Sequence, residues 1–286
     1  MKKLILILIL TIFTVCISNA QEIIRSLKTG EWELTLEEDV TYTIEPIENS
    51  IIIKEGEINL HSFDLPNILT FSSDEPEYIT INGVKWAKRN LAAHGQFVEN
   101  PEDNGALFQW GRKGDGHEQY TSSWYIGPIS GSENFDAYGQ IVETHDAYGK
   151  FIAVAGFPSD WRSPQKNDLW NLGSEPTPIK SLNDPCPDGW RLPTHTELNK
   201  LGIGEWTDTP VAGYRFGSGN NILFLPAAGY RFYMTTEIDG VGTVGYYWSS
   251  TIESNHPYHL FFKNIEQNLG SHIGRANAHS VRCVVE

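Results

Sequence analysis

Cysteine is scarce in this chain of 286 residues: there are three, and one of them, Cys16, lies within the first twenty positions. Cations are scarce as well, with 21 Lys and Arg against 36 Asp and Glu and a formal net charge of −15. A surface so short of positive charge cannot neutralise phosphates, which excludes nucleic acid and anionic lipid as expected partners. No apolar run long enough to cross a bilayer follows residue 20, so no transmembrane segment is expected in the mature chain. Segments with helical periodicity are few, and the stretch from about Gly111 to Asp184 shows almost no regular pattern.

What is present begins with an export signal. Lys2 and Lys3 precede an apolar stretch from Leu4 to Leu10 that continues through Ile12, Phe13 and Val15, and Ser18-Asn19-Ala20 follows. A basic pair, a short apolar core and small residues before the cleavage point make a secretory signal peptide over residues 1–20. Val15 and Ile17 crowd Cys16 where a lipid-attachment motif has small neighbours, so anchoring at Cys16 as a lipoprotein is not expected. The expected location is periplasmic, at the cell surface or secreted. Cleavage after Ala20 leaves Cys186 and Cys283, an even number in a compartment where disulfides persist, and a single bridge is expected. Closing a loop of nearly a hundred residues is worth roughly 4 to 5 kcal/mol in the chain-entropy model. Such a bridge is a staple, and it withdraws both thiols from nucleophilic chemistry.

The remaining chain falls into two regions. Residues 21–77 form a small acidic β-rich module, with 14 Asp and Glu against Arg25, Lys28 and Lys54. Apolar and polar residues alternate at Trp32, Leu34 and Leu36, at Val40, Tyr42 and Ile44, and again around Ile58 and Leu60, which is the period of strands. Ile51-Ile52-Ile53 is expected to be an unpaired edge, open to pairing with another protein. Ser72 to Pro76 reads as a linker. Residues 78–286 are rich in Gly, Trp and Tyr. Thr194-His195-Thr196-Glu197 spells a capping box, after which Leu198 and Leu201 share a face and Gly202 can end the helix. Strands are expected at Ile222 to Leu225, Gly245 to Ser250, Tyr258 to Phe262 and Ser280 to Val285.

Five segments recur in an order that resembles a known family: Ile81-Asn82-Gly83-Val84-Lys85-Trp86-Ala87 with Asn90-Leu91, Cys186 to Glu197, Phe224 to Arg231, Gly245 to Thr251, and Ser280-Val281-Arg282-Cys283. Together they look like the Fibrobacter succinogenes major paralogous domain, abundant in exported proteins of Bacteroidetes. The resemblance implies an α+β fold: a C-type lectin-like domain over 78–286 with long loops, few short helices and a small antiparallel sheet, preceded by the small all-β module. It brings no established activity. The calcium motifs of sugar-binding C-type lectins have no counterpart, because the corresponding place reads Tyr247-Trp248-Ser249-Ser250. No metal, cofactor or catalytic residue is therefore expected. His256, His259, His272 and His279 read as scattered loop histidines, and Glu197, the candidate acid of a hydrolase, is explained by its capping box. A formylglycine-generating-like enzyme would need the cysteines that the bridge consumes.

Function is thus expected to be non-catalytic recognition or adhesion, with a glycan or surface protein as partner. Trp86, Trp110, Trp190 and Trp248 sit inside the family-like segments and read as core, whereas Trp124, Tyr125, Trp161, Trp170, Tyr233 and Tyr258 are the candidate ligand-binding aromatics. The alternative is a structural subunit of a surface assembly, joined through the N-terminal β module.

Overall fold

A computed structural model describes residues 78–286 with their side chains, except 157, 158, 220 and 236, and six strands within residues 1–77 by their backbone. The chain divides into two compact units, Met1–Glu75 and Pro76–Glu286. In the first, the strands Val15–Ile17, Tyr42–Ile47, Ser50–Glu55 and Ile58–Asp64 make an antiparallel sheet in that order, and Ile23–Leu27 pairs with Gly30–Leu34. This corrects the reading of Ile51-Ile52-Ile53. Ile53 pairs with Ile44 on one side and His61 on the other, so the isoleucines lie on an inner strand whose backbone groups are already taken. The expected leader, apart from Val15–Ile17, lies outside the described residues, as do Ile68 to Phe71 and the linker.

The second unit is mostly β, with one α-helix and one 3-10 turn among the described residues. None of the described helices is long and apolar enough to cross a membrane. Tyr78–Ile81 and Val84–Ala87 form a hairpin across Asn82-Gly83, both at positive φ (46° and 82°), which matches strand twist and suits the Asn-Gly pair. Val284–Val285 then joins this hairpin through Val284 and Trp86, bringing the last strand beside the first. Val244–Glu253, His256–Lys263 and Glu266–His272 make a meander with tight turns at Ser254-Asn255 and Asn264-Ile265. Gly213–Ser218 pairs with Asn221–Pro226 and with Glu205–Thr207. Alternation decides what these strands bury: Tyr214 and Phe216 face inward, as do Leu223 and Leu225, and with Ile81, Trp86, Leu260 and Phe262 they close one core cluster.

The helix His195–Asn199 starts where its capping box places it: Thr194 Oγ1 accepts from the Glu197 N–H and Glu197 accepts from the Thr194 N–H. Leu198 and Leu201 are buried beneath it. Cys186 and Cys283 form the expected disulfide, 97 residues apart in sequence. The expected strand over Ser280 to Val285 is broken, however, into Ala278–His279 and Val284–Val285. Between them, Ser280 bonds to Tyr246 and Trp248, and Arg282 turns inward to Asn90 and the Ala87 carbonyl.

The irregular stretch has its own order. Trp124–Gly127 pairs in parallel with Phe151–Val154, and Ile129–Ser130 with Arg162–Ser163. Side chains fasten much of its backbone alongside turn and loop bonds. Indole N–H groups bond to main-chain carbonyls from Trp110 to Ser249, Trp161 to Trp110, Trp170 to Arg112 and Trp248 to Phe108. Gln109 bonds through its amide to Ile152 and Ala276, both in the chain's interior. These residues, with Ile129, Ile141, Leu169 and the disulfide, make a second core cluster.

Candidate functional site

The structure separates the six candidate aromatics. Trp161 and Trp170 are 0% exposed, which corrects their assignment: their rings fill the second core cluster and their N–H groups are spent on backbone carbonyls. Trp124 is 48% exposed and shares the outward face of its strand with Ile126 at 69%. Tyr125 points the other way and packs edge-on against His145. Tyr233 is half-buried, and its carbonyl accepts from the Val154 N–H of the neighbouring strand. Tyr258 stands apart, stacked on His195 at 3.7 Å with its hydroxyl donating to Glu253. Of the tryptophans read as core, Trp86, Trp110 and Trp248 are fully buried, while Trp190 is half-buried against Phe97.

Two groupings capable of acid–base or metal chemistry are engaged structurally. Asp115, His117 and Glu118 place ligand atoms within 4.8 Å of one another, a grouping that the short run Asp-Gly-His-Glu offered and the sequence reading passed over. His117 Nε2 accepts from the Gln109 N–H at 3.1 Å, which leaves Nδ1 to donate to Asp115 at 2.6 Å. Both nitrogens of a neutral ring are thereby used, and burial, the largest influence, lowers its pKa. Burial alone would raise the Asp115 pKa, but Arg112 and His117 outweigh it and hold the carboxylate well below its usual range. The trio therefore fastens a loop, and no lone pair on the imidazole is left for an ion. Glu197 also opposes burial: two hydrogen bonds from Arg191 and one from the Thr194 N–H keep its pKa low, the reverse of what a general acid requires. The four C-terminal histidines form two ring pairs, His259 with His279 at 5.2 Å and His256 with His272 at 6.0 Å. His259 and His279 are in the interior, where His279 stacks on Trp248 at 3.9 Å, and His256 lies near His272 at the surface. Tyr247, Trp248, Ser249 and Ser250, the place where a lectin would present calcium ligands, are all buried.

The aromatic surface that does gather into a cleft was missed by the sequence reading. A cavity of about 680 Å³ opens between the segment after the helix and the turn at Asn264-Ile265, with Trp206 and Tyr214 in its wall and Leu269 beside them. Gln267 joins the two sides, accepting from the Gly204 N–H at 2.8 Å and donating to the Gly202 carbonyl at 2.6 Å. Gly204 is required there, because a Cβ would meet the Tyr214 and Phe216 rings at 2.8 Å. Trp206 is set edge-on to Tyr214 and its N–H is fixed by Asp208 at 2.8 Å. The Tyr214 ring is held from behind by Phe262 at 4.7 Å, and its hydroxyl bonds to none of the described residues. At the rim, Ile203 and Ile265 are 94% and 92% exposed. A cleft of this volume with aromatic walls, a few polar groups and an apolar rim has the form of a ligand site. The lining comes from positions 202–214 and 264–269, which only the fold brings together.

Comparison with family models, with curated proteins and with solved structures finds no match.

Proposed function

We propose that the chain is an exported, non-catalytic recognition module that binds a glycan through the Trp206–Tyr214 cleft. Its second unit is read as a Fibrobacter succinogenes major paralogous domain of C-type lectin-like fold, a reading supported by the Asn-Gly hairpin, the capped helix and the disulfide. The observation that carries the functional proposal is the cleft itself: two nearly fully exposed isoleucines flank an aromatic wall whose orientation Gln267, Asp208 and Phe262 fix in advance. Trp206, half-buried in the wall, presents a rigid aromatic face at low entropic cost, and the Tyr214 hydroxyl beside it bonds to none of the described residues. The ordered state of Glu197 and His117 supports recognition over hydrolysis, since each is held in the protonation state opposite to that of a proton donor at neutral pH.

A glycan and mucin-component array, run with and without a chelator, tests this. Binding that survives the chelator and falls at least tenfold in Trp206→Ala is the expected result. Loss in Trp124→Ala with full binding by Trp206→Ala would move the site to the Trp124–Ile126 face. Silence on every glycan would overturn the glycan reading and leave a surface protein as the partner.

A further inference from the structure

A second groove, of about 310 Å³, lies between the loop 131–139 and the strand Arg162–Ser163, lined by Phe135, Asp136, Arg162, Ser163 and Lys166. Arg162 is only 8% exposed, yet its Nε has no hydrogen-bond partner, and its guanidinium forms no hydrogen bond with any described residue. Asp160 and Asp168 lie close enough to attract the Arg162 charge, but neither bonds to its guanidinium. Asp160 faces Arg275 at 3.7 Å and accepts from the Arg162 backbone N–H, while Asp168 faces Lys166 at 3.7 Å. Phe135 covers one face of the guanidinium, 4.5 Å from its centre, and the Trp161 ring lies 5.9 Å away. Stacking of this kind occupies the faces of the group and leaves its in-plane N–H donors unengaged by the rings. Those carboxylates offset part of the cost of burying the charge, but the donors stay unbonded, and a fork of donors fits a carboxylate.

We propose that this groove binds the carboxylate of an acidic sugar, with Arg162 as the fork, Lys166 as a second positive charge and Asp136 as acceptor for neighbouring sugar hydroxyls. Asp136 lines the groove, and its Oδ1 accepts from the Tyr138 and Gln140 N–H groups, which fixes the carboxylate in the loop. A ligand that engages both residues carries an anion and hydroxyl donors, as an oligouronate does. The proposal rests on the recognition reading above but concerns a different set of residues, so the two can fail separately.

The test is titration calorimetry of the full chain with tetragalacturonate, its methyl ester and inorganic sulfate. The expected result is binding of the acid at least tenfold tighter than the ester or sulfate, weakened at least tenfold in Arg162→Met and unchanged in Trp206→Ala. Lys166→Met and Asp136→Asn, at positions that keep the core intact, should each weaken binding severalfold, and they replace Arg162→Met should that variant fail to fold. Equal binding of acid and ester, equal binding of sulfate, no binding of the acid by the folded wild type, or indifference to all three groove substitutions would each overturn the proposal. Loss of the acid in Trp206→Ala alone would assign it to the cleft instead.

Discussion

The two larger core clusters of the second unit solve the same problem by different means. Around Trp86, Phe216 and Phe262, backbone groups are satisfied by strand ladders and the side chains need only be apolar. Around Trp110, Trp161 and Trp170, ladders are short, and indole, amide and guanidinium donors hold the chain. A partner is optional for an indole in the first cluster and structural in the second: Trp86 Nε1 is buried with no partner, whereas Trp161 Nε1 bonds to the Trp110 carbonyl at 2.7 Å. Irregular backbone can be buried, but the polar side chains then become part of the framework.

Breaking the staple gives the largest expected effect on this contrast. Cys283→Ser should destabilise the unit by about 4 to 5 kcal/mol by loop entropy. Hydrogen exchange should show residues 105–185 losing protection before the meander. Uniform loss would mean that the two clusters form one cooperative unit.

Acid and base should then act on opposite sides. His259, in the meander, has its pKa pushed down by burial to about 3, so folding excludes a proton that the unfolded chain takes up near its ordinary value of 6.5. Stability is intact above that value and is lost as pH falls toward 3, about 2 kcal/mol at pH 5, with a further loss from His279, shifted the same way by burial. Asp184, beside the disulfide, is raised by burial to about 7, its oxygens accepting from Cys186 and Leu192. Its folded form retains a proton that the unfolded chain releases, so stability around the staple falls as pH rises from about 4 to 7. Melting curves at several pH values should show His259→Gln flattening the acid limb and Asp184→Asn flattening the neutral one. Equal slopes in both variants would refute the assignment.

A smaller effect isolates the indole bonds. Trp161→Phe should cost about 1 to 2 kcal/mol more than Trp86→Phe, because only the former leaves a buried carbonyl without its donor. Denaturant midpoints measure the difference, and equality would show that the indole N–H is dispensable in both clusters. Smallest of all, Trp124→Ala should cost about 1 kcal/mol, since 48% of its surface already lies in solvent.

Legibility in the sequence followed the same divide. Strands at 221–226, 244–253 and 256–263, the Asn82-Gly83 turn, the capping box and the disulfide each rest on local patterns or on a count of two, and all could be read directly. The Trp161–Trp110 and Trp110–Ser249 bonds span 51 and 139 residues, and no local pattern marks which indole will find which carbonyl. Aromatic residues in an unpatterned stretch were therefore taken as surface when Trp161 and Trp170 are framework. Conversely, Trp206 lay in a short strand and drew no attention, although its cleft is completed by residues some sixty positions away, as the Gly204–Gln267 bond spans 63.

The closure of the last strand on the first also sets a timetable. The Tyr78–Ala87 hairpin is made early in synthesis, but the Arg282 bond that seals it comes from 195 residues further on. At about 5 to 20 residues per second, the hairpin waits roughly 10 to 40 seconds with one edge open, and Cys186 waits as a thiol for most of the second half of that interval. The bridge and the Arg282 bond therefore cannot form until the last strand has been made.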